Sequence, residues 1–260
     1  MANLLQFDLN QFMGFTLILM RMTGLMLSAP VLGDDRIPPQ VRTGLGLILA
    51  LLFFPMLPIE YQRLPPELGQ MVLLGSAELA IGALMGFSAK MLFAGVSMAG
   101  EVIGFQMGVS VANVFDPSSG QQVALIGQLQ YTFAMLLFVM LDGHHMLVRA
   151  LVDSYAIVPP GAIGLSQPVV DHFTSLLTNI FVIGLQIGAP LVVSLTAANF
   201  AMGLVARSVP QMNIFVVGFP FTIALGLFLL VTSMPFFVQA LVALHSRLEE
   251  VLLSGISLLR

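Results

Sequence analysis

The sequence predicts an all-α, membrane-type helical protein built of long kinked helical hairpins, on three observations. Of its 260 residues 58% are hydrophobic and 8% are charged, about a third of the charged share of an ordinary soluble domain. Apolar runs of about 20 residues recur, the length a helix rising about 1.5 Å per residue needs to cross a hydrocarbon core of about 30 Å. Clusters of proline and glycine stand between the runs and punctuate them. With a mean hydropathy of +0.99, the chain reads as an integral membrane protein.

The first stretch, MANLLQFDLNQF, has no lysine or arginine and includes Asp8. It lacks the basic start of a cleaved signal peptide, so the first apolar run, Phe12 to Leu32, is expected to stay in the mature chain. APVLGDDRIPPQVR (29–42) separates it from the second run, Val41 to Leu57. PMLPIEYQRLPPE (55–67) leads into Leu68 to Val114, which is too long for one crossing and reads as a helical hairpin or a pair of stacked helices. FDPSSGQQ (115–122) is a turn-rich loop, because Asp-Pro followed by Ser-Ser-Gly disfavours helix at each step. Val123 to Leu141 is the next run, and VPPGAIGLSQP (158–168) the next break. Val169 to Val205 is again longer than one crossing and is read in the same way. ARSVPQMNIFVVGFPFT (206–222) then interrupts the chain as Ile214 to Met234 begins. No linker long enough to divide independent domains is present, so residues 1–260 read as one all-helical unit.

Composition also excludes several functions. With no cysteine, there are no disulfides, thiolate metal sites or haem-thiolate centres. The net charge of −4 is thinly spread, without a basic patch for nucleic acid. The nine basic residues are scattered and assign no orientation, while the absence of tryptophan weakens the usual interfacial belts. That suits a protein whose outer face meets other subunits more than lipid.

Charges inside the apolar runs carry more information. Arg21, Glu78, Lys90 and Glu101 would each cost about 2.5 to 3.5 kcal/mol facing lipid, roughly 10 kcal/mol together, so they are expected to face protein or water. On one continuous helix Lys90 and Glu101 share a face but stand about 16 Å apart, too far to pair directly. A structural buried charge and a channel-lining role are both open for these groups. Gly100, Gly104, Gly108 and Ala112 recur at four-residue intervals, a small-residue stripe that lets another backbone approach closely.

Catalytic patterns are weak. Asp142, His144 and His145 sit together in LDGHH, but adjacent helical histidines point about 100° apart and no HExxH or CxxC supplies further ligands. They are read as exposed helix-end residues. Ser118 and Ser119 lie in no nucleophile motif, and no phosphate-binding glycine loop is present. No catalytic residue, metal or cofactor is expected. The seventeen methionines suit an adaptable apolar surface or simple core filling.

Three blocks carry a resemblance. The first is RMTGLMLSAPVLG followed by IPPQVRTGL, with Arg21, Gly24, Pro30, Gly33, Pro38 and Arg42; the second is GFQMGVSVANVFDP, Gly104 to Pro117. The third and most specific is ARSVPQMNIFVVGFP, with Arg207, Pro210, Gln211, Asn213, Phe215, Gly218 and Pro220. Together they resemble the flagellar biosynthetic protein FliR family and its injectisome counterparts. The chain departs from the family at Thr222, where many members carry lysine.

The resemblance implies a subunit of the type III secretion export gate in the flagellar basal body of the bacterial inner membrane. Such a subunit joins FliP and FliQ in a helical hetero-oligomer, with FlhB and FlhA as further partners, and passes unfolded flagellar export substrates. It implies an amino-terminal part like FliP and a carboxy-terminal part like a FliQ hairpin. It also implies a plug reaching the lumen, here Val109, Asn113, Phe115, Asp116, Pro117, Ser118 and Gly120, although the residues alone suit an external loop equally well. A second reading, from another class, is a small-molecule secondary transporter with broken helices, using the intramembrane charges for coupling. Assembly separates the two, since a transporter purifies alone or as a symmetric oligomer. An intramembrane hydrolase using His144 or His145 is a third and weaker reading.

Overall fold

The computed structural model describes residues 9–34, 37–57, 68–109, 124–160, 167–209, 211 and 213–258. Eight α-helices run through them: α1 (Leu9–Ser28), α2 (Pro39–Phe53), α3 (Leu68–Gln106), α4 (Leu125–Met140), α5 (Gly143–Ile157), α6 (Gln167–Ser208), α7 (Ile214–Thr232) and α8 (Met234–Ser257). Among the described residues there is no strand. Helices α1, α3 and α6, and α2 together with the 3₁₀ turn that follows it (Pro39–Met56), are each long and apolar enough to cross a membrane, and α4 with α5 and α7 with α8 pass the same test as bent pairs.

Local chemistry places the ends. Helix α2 starts on Pro38 and Pro39, where a missing N–H costs nothing because first-turn donors have no partner in the helix. It ends in a 3₁₀ turn, Phe54–Met56, around Pro55. After α1 the chain turns through Val31, at a φ of 67°, and the Gly33 N–H returns to the Ala29 carbonyl at 2.8 Å.

The two longest apolar runs differ from the expectation of a hairpin or a pair of stacked helices. Helix α3 is one helix of 39 residues and α6 one of 42. Their glycines are isolated, and an isolated glycine weakens a helix by about 1 kcal/mol without reversing the chain. Pro190 inside α6 removes one hydrogen bond, that to the Gln186 carbonyl, but its immediate neighbours Ala189 and Leu191 form no turn with it.

The chain divides into two compact units, neither of them a continuous stretch. The first comprises 1–91, 138–176 and 245–260, the second 92–137 and 177–244. In the first, Leu17, Ile18, Met22, Leu25 and Met26 of α1 are fully buried with Ile81 of α3 and Leu147 and Leu151 of α5. Helix α2 buries only Gly46 and Ala50, so Val41, Leu45, Ile48, Leu51 and Leu52 lie exposed. The core of the second unit is Ile103, Met107, Ile126, Leu191 and Leu195, flanked by Ile223, Leu229 and Leu230 of α7.

Candidate functional site

In the first unit, helices α1 and α3 touch backbone to backbone. A Cβ on Gly82 would collide with the Arg21 carbonyl, one on Gly24 with the Leu79 carbonyl, and one on Gly86 with Ser28. Where lipid replaces water the hydrophobic drive between helices is small, and such close approach lets packing contacts replace it. The crossing holds Arg21 of α1 against Glu78 of α3, both at zero exposure, with Nε 2.5 Å from Oε2. Helix α5 completes the cluster. Arg21 Nη1 donates to Ser154 Oγ at 2.8 Å, Nη2 donates to the Val158 carbonyl at 3.1 Å, and the guanidinium lies 3.9 Å from the centre of the Tyr155 ring.

Two residues of the same α3 behave differently. Lys90 and Glu101 are exposed on one continuous helix, and Glu101 accepts a 3.4 Å hydrogen bond from Ser97 one turn earlier. The chain therefore neutralises one pair of apolar-helix charges internally and presents the other two outward.

The glycine stripe is divided. Gly100 and Gly104 lie in α3 and are buried, and a Cβ on Gly100 would stand 2.5 Å from the Gly127 Cα of α4. Gly108 stands beyond the end of the helix at a φ of +82°, under the Phe219 ring, in a conformation that glycine adopts without strain. Ala112 lies outside the described residues. Of the loop ascribed to a plug, Val109 packs on the core of the second unit, while Asn113, Phe115, Asp116, Pro117, Ser118 and Gly120 lie outside the described residues.

The third block forms the junction of α6 and α7. Arg207 is exposed at the carboxy-terminal end of α6, where a cation complements the helix dipole. Gln211, Asn213 and Pro220 are exposed and Gly218 is half-buried. Phe215 lies in the first turn of α7, which begins at Ile214, and Pro210 falls outside the described residues. In the first block, Arg42 Nη1 donates to the Gly33 carbonyl at 3.4 Å, bringing two of the quoted residues together.

Thr222 is buried, and its hydroxyl lies 3.0 Å from the Met107 carbonyl, with the Gly218 and Phe219 carbonyls at 3.0 and 3.1 Å. One hydroxyl proton serves one of these acceptors at a time. The contact to Met107 gives an acceptor just past the end of α3 a donor from α7. At the break between α4 and α5, the His144 and His145 rings stack with centroids 4.1 Å apart, although their Cβ directions diverge.

The sequence singles out Arg21 and Glu78, and Thr222 only as a departure from the family pattern, but not Ser154 or Tyr155, ordinary residues with no local mark. Gly82 and Gly86 carried a usable signal, the same four-residue spacing seen at Gly100 and Gly104.

The model of the family described as bacterial export proteins, family 1, matches residues 12–248. The chain belongs to that family. It is 34% identical to the flagellar biosynthetic protein FliR of Escherichia coli (strain K12) over 217 residues, covering 84% of this chain and 82% of that one. It is 35% identical to the protein of the same name from Bacillus subtilis (strain 168) over 229 residues, 86% of each. A third relative of that name, from Caulobacter vibrioides, is 30% identical over 224 residues, 84% of this chain and 87% of that one. This member of the bacterial export family is thus an all-α, membrane-type protein whose likeness to FliR proteins extends over most of its length.

Proposed function

We propose that the chain is a core, non-enzymatic subunit of the flagellar type III secretion export gate in the bacterial inner membrane. It forms with FliP and FliQ the channel through which unfolded flagellar proteins leave the cell, beside FlhB and FlhA. Family membership together with similarity to proteins named FliR over most of the chain supports this reading. The single structural observation that carries it is the outward-facing apolar and charged surface. Helix α2 buries two residues, α6 exposes Phe181, Leu185, Val193 and Phe200, and α3 exposes Lys90 and Glu101. Charges on apolar helices need protein or water, and neighbouring subunits or a wet lumen supply both.

In this reading the amino-terminal part is FliP-like and the carboxy-terminal part FliQ-like, and residues 109–120 contribute to a plug. Deletion of the gene is expected to abolish motility and flagellin export, and the tagged protein should purify in a fixed-ratio complex with FliP and FliQ. Normal export in the deletion strain would overturn the assignment. Shortening residues 110–120 should raise ion leak across the membrane; unchanged conductance would remove the plug from the proposal.

A further inference from the structure

The break between α4 and α5 gathers three metal-ligating side chains. Asp142, His144 and His145 each offer one ligand atom, and the three atoms lie within 4.8 Å of one another. His145 Nδ1 and Asp142 Oδ1 are 3.1 Å apart. That contact is a hydrogen bond, which an ion would replace with little movement, since two ligands of a tetrahedral ion with bonds of about 2.05 Å stand about 3.4 Å apart. Both side chains are reachable from solvent, at 73% and 75% exposure. His144 stacks on His145, and its Nδ1 is buried without a hydrogen-bond partner among the described residues, so that nitrogen is not committed to a structural bond.

The backbone supports the same grouping. Asp142 has φ 56° and ψ 27°, the left-handed region that glycine fills at lower cost. A glycine does follow, but at Gly143 a Cβ would collide with the Phe138 ring, so that glycine serves the contact and the aspartate takes the left-handed corner. The corner turns the carboxylate back over the first turn of α5, where His145 lies three residues on.

We infer that Asp142, His144 and His145 form a binding site for a divalent first-row transition ion of the zinc type. Imidazole nitrogens select such ions, whereas magnesium and calcium take oxygen ligands. Three protein ligands leave a fourth position for water or for a group from a neighbour. The ion would tie the corner residue to the first turn of α5. The site is independent of the export role proposed above, and either can fail without the other.

The full chain, purified in detergent without a polyhistidine tag, should bind one Zn²⁺ per chain in calorimetric titration with excess Mg²⁺ present. H144A, H145A and D142G should each weaken binding roughly tenfold or more. D142G places glycine at the left-handed corner, so its metal-free thermal midpoint should not fall, which separates ligand loss from misfolding. No saturable zinc binding in the parent protein would overturn the site. So would affinity unchanged in the H144A/H145A double variant.

Discussion

Helix α3 carries charge in two settings. Toward its start, Glu78 is sealed from solvent against Arg21, with Ser154, Tyr155 and the Val158 carbonyl around the guanidinium. Farther along, Lys90 and Glu101 stand exposed on the same helix. The first setting is complete within the chain, while the second waits for water or a neighbour. A charge in an apolar helix is therefore evidence of a site only after its partners have been sought inside the fold.

The difference is testable, most severely at the sealed pair. Arg21→Met takes the guanidinium away from the buried Glu78 carboxylate, so a loss of about 3 to 5 kcal/mol is expected, read as a collapse of the thermal midpoint in detergent or of protein level in cells. The Arg21→Met/Glu78→Met double variant should recover most of that stability, because an apolar pair of similar volume often replaces a buried ion pair without loss. If the double variant is no better than the single one, the cluster is more than an ion pair.

Gly82→Ala places a methyl on the Arg21 carbonyl at the backbone crossing and should cost about 1 to 3 kcal/mol by the same melt. A neutral result would mean that α1 and α3 separate easily and that the pair does not depend on the crossing. Thr222→Val removes the donor at the Met107 carbonyl, with an expected loss of about 0.5 to 1.5 kcal/mol.

Lys90→Met and Glu101→Gln should move the melt of the isolated chain by no more than about 0.5 kcal/mol, as surface changes do. If neighbouring subunits meet these groups, the same variants will lower recovery of FliP and FliQ in pull-down. Loss of stability in the isolated chain would show that Lys90 and Glu101 belong with the sealed pair after all.

Much of the helical character was legible in the sequence, because runs such as Phe12 to Leu32 are long and bounded by proline and glycine. Continuity was less so. Length alone suggested that 68–114 and 169–205 each form a hairpin or a pair of stacked helices, but a break needs turn chemistry, and an isolated glycine or Pro190 does not provide it. The pairing of Arg21 with Glu78 could not be read, since their partners lie 57, 133 and 137 residues away and nothing local marks Ser154 or Val158. The stacking of His144 on His145 was missed for another reason. The 100° rule fixes Cβ directions, and two rotatable side-chain bonds then bring the rings together.

The unbroken length of α3 also limits how it can lie in a membrane. Its 39 residues make a rod of about 58 Å, nearly twice a hydrocarbon core of about 30 Å. Lying wholly within that core would require a tilt of about 59°, beyond the range of roughly 0 to 40° seen for transmembrane helices. If α3 crosses a membrane, part of this apolar rod therefore extends past the hydrocarbon core, and its apolar surface there needs packing against protein to be kept from water.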